Sequence, residues 1–152
     1  PGIMSYKSLP GGGTTDYAVD IFHEAIKHQR YSCFIEKDVK LPMMYMDDAI
    51  RATIELMQVE KSTLPIFKSY NISAISFSPD DIAKEISSHI PNFKIKYSPD
   101  FRNKIAKSWP SSINDQDARK DWGWEEEFDL KKMTLKMIEG IRSRNSLVSS
   151  DI

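Results

Sequence analysis

Apolar positions recur along this chain with two periods, and the two alternate. Ala18, Ile21, Phe22, Ala25 and Ile26 return every three or four residues, the spacing that lines one face of a helix, and predict a helix capped by Thr15 or Asp16 and ending near residue 28. Phe93, Ile95 and Tyr97 instead alternate with Lys94 and Lys96, the period of a strand buried on one face. Tyr31 to Ile35, Leu41 to Met46 and Phe67 to Ile72 read as further strands, and residues 1–6 as the end of another. Pro42 must stand where no ladder hydrogen bond is needed. Further helices are predicted from Asp47 through Met57, whose broad apolar face asks for burial, and from Ser98-Pro-Asp100 to about Ala106. A short one follows around Asp115 to Asp121, and a longer one from Leu130 to Arg142. Ser78-Pro-Asp-Asp81 opens one more, running to about His89: serine as cap, proline at the first helical position and aspartate at the third are close to a capping box. Short strands alternating with helices make the fold class α/β. Residues 1–142 read as one unit and 143–152 as a polar, flexible tail.

Composition removes several classes of function. The 152 residues suffice for one core, and 21 Lys and Arg against 22 Asp and Glu leave no electrostatic footprint for nucleic acid or an anionic membrane surface. The longest apolar runs fall far short of the ~20 residues of a membrane-spanning helix. Cys33 has no partner for a disulfide, and His23, His28 and His89 lack ligand spacing, so no metal is expected. Pro1-Gly2-Ile3 begins as if inside a longer protein, and Pro1 reads as a cut edge.

The candidate chemistry is concentrated in two loops. Gly11-Gly-Gly-Thr-Thr-Asp16 is a glycine loop entering a helix start, an arrangement that can leave backbone N–H groups free for an anion and adds the hydroxyls of Thr14 and Thr15; the plainer reading is a turn and a cap. It has neither the lysine of a P-loop nor the G-x-G-x-x-G of a dinucleotide fold. Ser108-Trp109-Pro110 breaks two helices and can set an aromatic wall beside a ligand, or simply bury its area. Trp122 and Trp124 read as core plugs, Asp47-Asp48 and Asp80-Asp81 as helix-capping acids, Glu125 to Glu127 as a solvated turn, and Cys33 as a small buried residue. No nucleophile, base and orienting group occur together, so taken alone the chain reads as a ligand-contacting lobe.

Pro1-Gly2-Ile3, Gly11-Gly-Gly-Thr-Thr-Asp-Tyr-Ala18, Leu41-Pro-Met-Met-Tyr-Met-Asp-Asp-Ala-Ile-Arg-Ala52, Ser108-Trp-Pro110 and Ala118-Arg-Lys-Asp-Trp-Gly-Trp124 stand in one order that closely resembles the C-terminal part of the short-chain, epimerase-like L-threonine 3-dehydrogenases. The resemblance runs to about residue 142. It implies the C-terminal, substrate-binding part of an extended short-chain dehydrogenase of Rossmann type, with the N-terminal dinucleotide-binding half missing, and with NAD as cofactor and L-threonine, oxidised to 2-amino-3-oxobutyrate, as substrate. The family's Tyr-x-x-x-Lys pair and Gly-rich turn are absent here, so no catalytic residue is assigned within this chain and inactivity in isolation is expected. Pro1, Gly2 and especially Ile3 resemble the family's nicotinamide contacts, and Gly13, Thr14, Thr15 and Trp109 its threonine-binding residues. The resemblance further implies a homodimer of the full-length protein, mitochondrial in a eukaryote and cytoplasmic otherwise. A truncated, non-catalytic product and a sugar-nucleotide epimerase are the alternatives. A lobe parted from its sheet would expose apolar faces and tend to associate.

Overall fold

In the computed structural model, which describes residues 1–65 and 69–150, the apolar runs pair into two small sheets. The first is built on β3 (Leu41–Tyr45), with β1 (Gly2–Met4) parallel on one side and β4 (Ile75–Phe77) antiparallel on the other. All five residues of β3 are buried, which is why its sequence is a continuous apolar run rather than an alternation. Pro42 lies one residue ahead of the β1 ladder, which starts where Gly2 faces Met43. The second sheet pairs β2 (Arg30–Cys33) in parallel with β5 (Lys94–Tyr97).

Three helices close over these sheets. Helix α1 (Tyr17–His28) buries Ala18, Ile21, Phe22 and Ala25, the stripe that the periodicity predicts, and stops where Gln29 turns left-handed at φ 54°. Helix α3 (Pro79–His89) brings Ile82 and Ile86, and α6 (Leu130–Ser150) brings Met133, Met137, Ile138 and Ile141, into the same core as Leu41 and Met43. The capping box at Ser78 is complete: its hydroxyl accepts the Asp81 N–H at 3.2 Å, while the Asp81 carboxylate accepts the Ser78 N–H at 2.9 Å. A second, smaller core gathers around Trp124, fully buried as expected, whose indole N–H donates to the Ser73 carbonyl at 2.8 Å.

Elsewhere the expectations need correction. Phe67 lies outside the described residues, and 69–72 form no strand; the partner of β3 is Ile75–Phe77, because Tyr70 and Ile72 pack against the Trp124 core instead of entering a ladder. Helix α2 (Met46–Gln58) is not substantially buried: only Asp48 and Ala52 are, and Ile50, Ile54 and Met57 are 51%, 48% and 81% exposed. Nothing in the described chain lies over that face. Helix α6 continues past Arg142 to Ser150, since Ser143 to Ser150 contains no proline or glycine to end it.

The acidic residues at the α2 start do not cap it. Asp48 is wholly buried; its oxygens accept the N–H groups of Glu127 at 3.0 Å and Phe128 at 3.1 Å and pair with Arg51 at 2.9 Å, which also lies over the Trp124 ring. Glu125 to Glu127 are therefore a docked segment rather than a free turn, and Glu126 is held by Arg119 at 2.6 Å. Replacing Asp48 with Ala leaves two backbone donors without their acceptor and removes one partner of Arg51, which keeps Glu55 at 2.8 Å. We expect a loss of about 2–3 kcal/mol, measured by urea denaturation.

Candidate functional site

The glycine loop is shaped from inside by Asp16. Its carboxylate accepts the N–H of Gly11 at 2.6 Å and of Gly13 at 2.9 Å, and its own N–H donates to the Gly13 carbonyl at 3.2 Å. The expectation of free loop donors is thereby corrected for two of them: an anion of the chain already takes the Gly11 and Gly13 amides. Neither Thr15 nor Asp16 caps α1 by side chain, for Asp16 stands at the cap position with its carboxylate turned back into the loop. At the loop tip Gly12 has φ 96° with open space around it, a conformation that favours glycine.

Behind the loop, Thr15 rests on β1. A Cβ placed on Gly2 would come within 2.8 Å of the Thr15 side chain and 2.6 Å of the Met43 sulfur, so only glycine lets the strand and the loop approach this closely. Across from them, α4 (Phe101–Ser108) begins at Asp100, whose carboxylate accepts the Arg102 N–H at 2.8 Å, and ends at Trp109. Pro110 follows at once and forbids another turn. Trp109 is 45% exposed, an aromatic displayed rather than spent in the core.

These segments enclose a cavity of about 320 Å³ lined by Pro1, Gly2, Thr15, Leu41, Pro42, Trp109, Pro110 and Ile113. Four of the predicted residues, Pro1, Gly2, Thr15 and Trp109, thus meet at one place. Gly13 and Thr14 sit in the adjoining loop but do not line the cavity, and Ile3 is 42% exposed on β1 outside it. Sequence reasoning did not single out Leu41, Pro42 or Ile113; the signal for Pro42 is a proline kept at the start of a buried strand, and for Ile113 there is none.

The lining is apolar apart from the Thr15 hydroxyl, and none of its side chains titrates near neutrality. Burial raises the Cys33 thiol to about 11 and lifts the Tyr17 phenol well above its ordinary range, so neither is ionised at physiological pH. Burial lowers His23, which lies elsewhere on α1. Among the described residues no cluster of His, Cys, Asp or Glu could hold a metal ion, and no helix is long and apolar enough to cross a membrane. Such a site can enclose and orient a small molecule; it carries no acid or base to transform one.

No protein-family model matches the chain. It is 50% identical over 139 residues to the mitochondrial L-threonine 3-dehydrogenase of Bos taurus, covering 91% of this chain and 37% of that protein. An epimerase/dehydratase of Staphylococcus haemolyticus is 46% identical over 95% of this chain and 46% of its own length. The crystal structure of L-threonine dehydrogenase from Phytophthora infestans superimposes with a TM-score of 0.91 at 49% identity, over 95% of this chain and 47% of that one. The chain therefore spans less than half the length of these relatives, and the architecture is that of the epimerase-like threonine dehydrogenases.

The close approach of Gly2 and Thr15 is directly testable. Gly2→Ala should cost about 2 kcal/mol of stability, read as a lowered thermal midpoint, because the added methyl has to displace Thr15 or Met43.

Proposed function

We propose that this chain, which matches the C-terminal portion of the L-threonine 3-dehydrogenases along nearly its whole length, is the substrate-binding part of an NAD-dependent enzyme that oxidises the 3-hydroxyl of L-threonine. The observation that carries the reading is the single cavity shared by Thr15 and Trp109, far apart in sequence, with the strand end Pro1-Gly2.

In this reading the Thr15 hydroxyl donates to the bound amino acid, in place of the loop amides that Asp16 has taken. Trp109 and Pro110 form the wall that keeps water from the reacting carbon, and Pro42, Leu41 and Ile113 offer an apolar surface for the substrate methyl. Gly13 and Thr14 act through the shape of the loop. The residues fit one end of NAD: Pro1 and Gly2 border the cavity and Ile3 presents half-exposed apolar surface beside them, suited to a nicotinamide ring, while nothing here suits its pyrophosphate. When bound, that ring accepts the hydride. The proton-abstracting groups belong to a preceding half of the protein, so this chain alone is inactive. The working protein is a homodimer, mitochondrial in a eukaryote and cytoplasmic otherwise.

An epimerase acting on a nucleotide sugar is the second reading, favoured by the Staphylococcus haemolyticus relative. The cavity speaks against it, because no Lys or Arg lines it to meet a diphosphate. In the parent protein, Thr15→Ala should lower kcat/KM for L-threonine at least ~tenfold, the scale of one lost hydrogen bond to a charged ligand, and Trp109→Ala should do so at least ~tenfold through the lost apolar wall. NADH production unaffected by both changes would overturn the assignment. L-Threonine raising the thermal midpoint where a UDP-sugar does not separates the two readings.

A further inference from the structure

One side chain joins the two walls of the cavity. Arg102, in the first turn of α4, has Nη1 directed at the Gly12 carbonyl at 3.3 Å. Its other guanidinium nitrogens are fixed by the Asp100 carboxylate, at 3.0 Å from Nε and 2.6 Å from Nη2, a fork-on-carboxylate geometry that leaves Nη1 little freedom. The guanidinium also lies over the Phe34 ring, 3.3 Å from its centroid. Phe34 in turn meets the ring of Tyr17 edge to face at 6.4 Å, and Tyr17 is the first residue of α1, directly after the glycine loop.

The loop is thus held twice. Its base is fixed through Tyr17 and Phe34, and its tip through Gly12 and Arg102. Among the described residues, the Arg102 bond to Gly12 is the hydrogen bond that ties residues 9–14 to another part of the chain; the remaining ones there are internal to the loop. The same helix that carries Arg102 at its start carries Trp109 at its end. A tilt of α4 therefore moves Trp109 and pulls on Gly12 together, and the spacing between Thr15 and Trp109 depends on this link.

We infer that Arg102 is a positioning residue, a clamp that sets the glycine loop against α4 and so fixes the width of the cavity between Thr15 and Trp109. It does not line the cavity and acts only through Gly12 and its own helix. The functional part of the inference rests on reading that cavity as the threonine site; the mechanical part does not.

Hydrogen–deuterium exchange on the parent protein tests the clamp itself. In Arg102→Ala, amides of residues 9–16 should exchange at least about fivefold faster, with α3 and α6 unchanged. Asp100→Asn, which keeps Arg102 and the cap oxygen but loosens the fork, should move the same amides by a smaller factor. Unchanged loop exchange in both variants overturns the clamp, and so does faster exchange spread evenly over the chain.

Kinetics of the parent protein test its purpose. Arg102→Ala should raise KM for L-threonine about tenfold while KM for NAD stays within twofold, and Arg102→Lys should recover part of the loss. If Thr15→Ala impairs threonine turnover but Arg102→Ala leaves KM unchanged or raises both KM values alike, the positioning role is wrong and the site reading stands. If Thr15→Ala is silent, the site reading fails together with this role, and the exchange experiment alone decides whether the clamp exists.

Discussion

The whole arrangement hangs on β3, a strand with no polar side. Leu41, Pro42, Met43, Met44 and Tyr45 are all buried, so one face must be covered by the α1, α3 and α6 core and the other by the Trp124 core. Burying the side chains of such a strand contributes on the order of 1.5–3 kcal/mol for each large residue, more than any single polar contact on the surface. β1 and β4 are drawn to its two edges because its backbone groups also need partners. Once β1 is paired there, Gly2 is committed to its position opposite Met43, and the loop that follows has to pass over it.

The cavity follows from that pairing. Its floor is the start of β3, one side is Thr15 resting on a strand without a side chain, and the other is the end of α4. Two of its borders are stiffened by proline: Pro42 is the second residue of β3, and α4 ends against Pro110. Apolar, rigid residues gather where regular structure ends, and the one hydroxyl among them gains weight because it has no polar competitor in the lining.

How much of this could be read from sequence depended on whether the signal was local. The stripe on α1, the capping box at Ser78 and the burial of Trp124 were legible because periodicity and caps are properties of short segments. The resemblance likewise gathered Thr15 and Trp109 into one site. The strand at Ile75–Phe77 was not legible, because Tyr70 and Ile72 supply a strand-like pattern but satisfy a different core. Asp48 looked like a capping residue from its place at a helix start. Only the fold could bring the backbone of Glu127 and Phe128 to it. The apolar face of α2 shows the converse: its periodicity asks for burial, yet nothing within the described chain meets Ile50, Ile54 and Met57.

Asp16 explains why a run of three glycines before a helix is not a phosphate cradle. A cradle requires backbone N–H groups that converge on a point and have no partner until the ligand arrives. Here two of them converge on a carboxylate three and five residues further along the same loop. An approaching phosphate would have to displace that carboxylate and would meet its negative charge first. The glycines therefore serve shape: they let the chain wrap its own aspartate, turn at Gly12 and lay Thr15 against β1. The cavity beyond the loop then offers the Thr15 hydroxyl and an apolar wall opposite, with no lysine or arginine in its lining to meet a nucleotide phosphate.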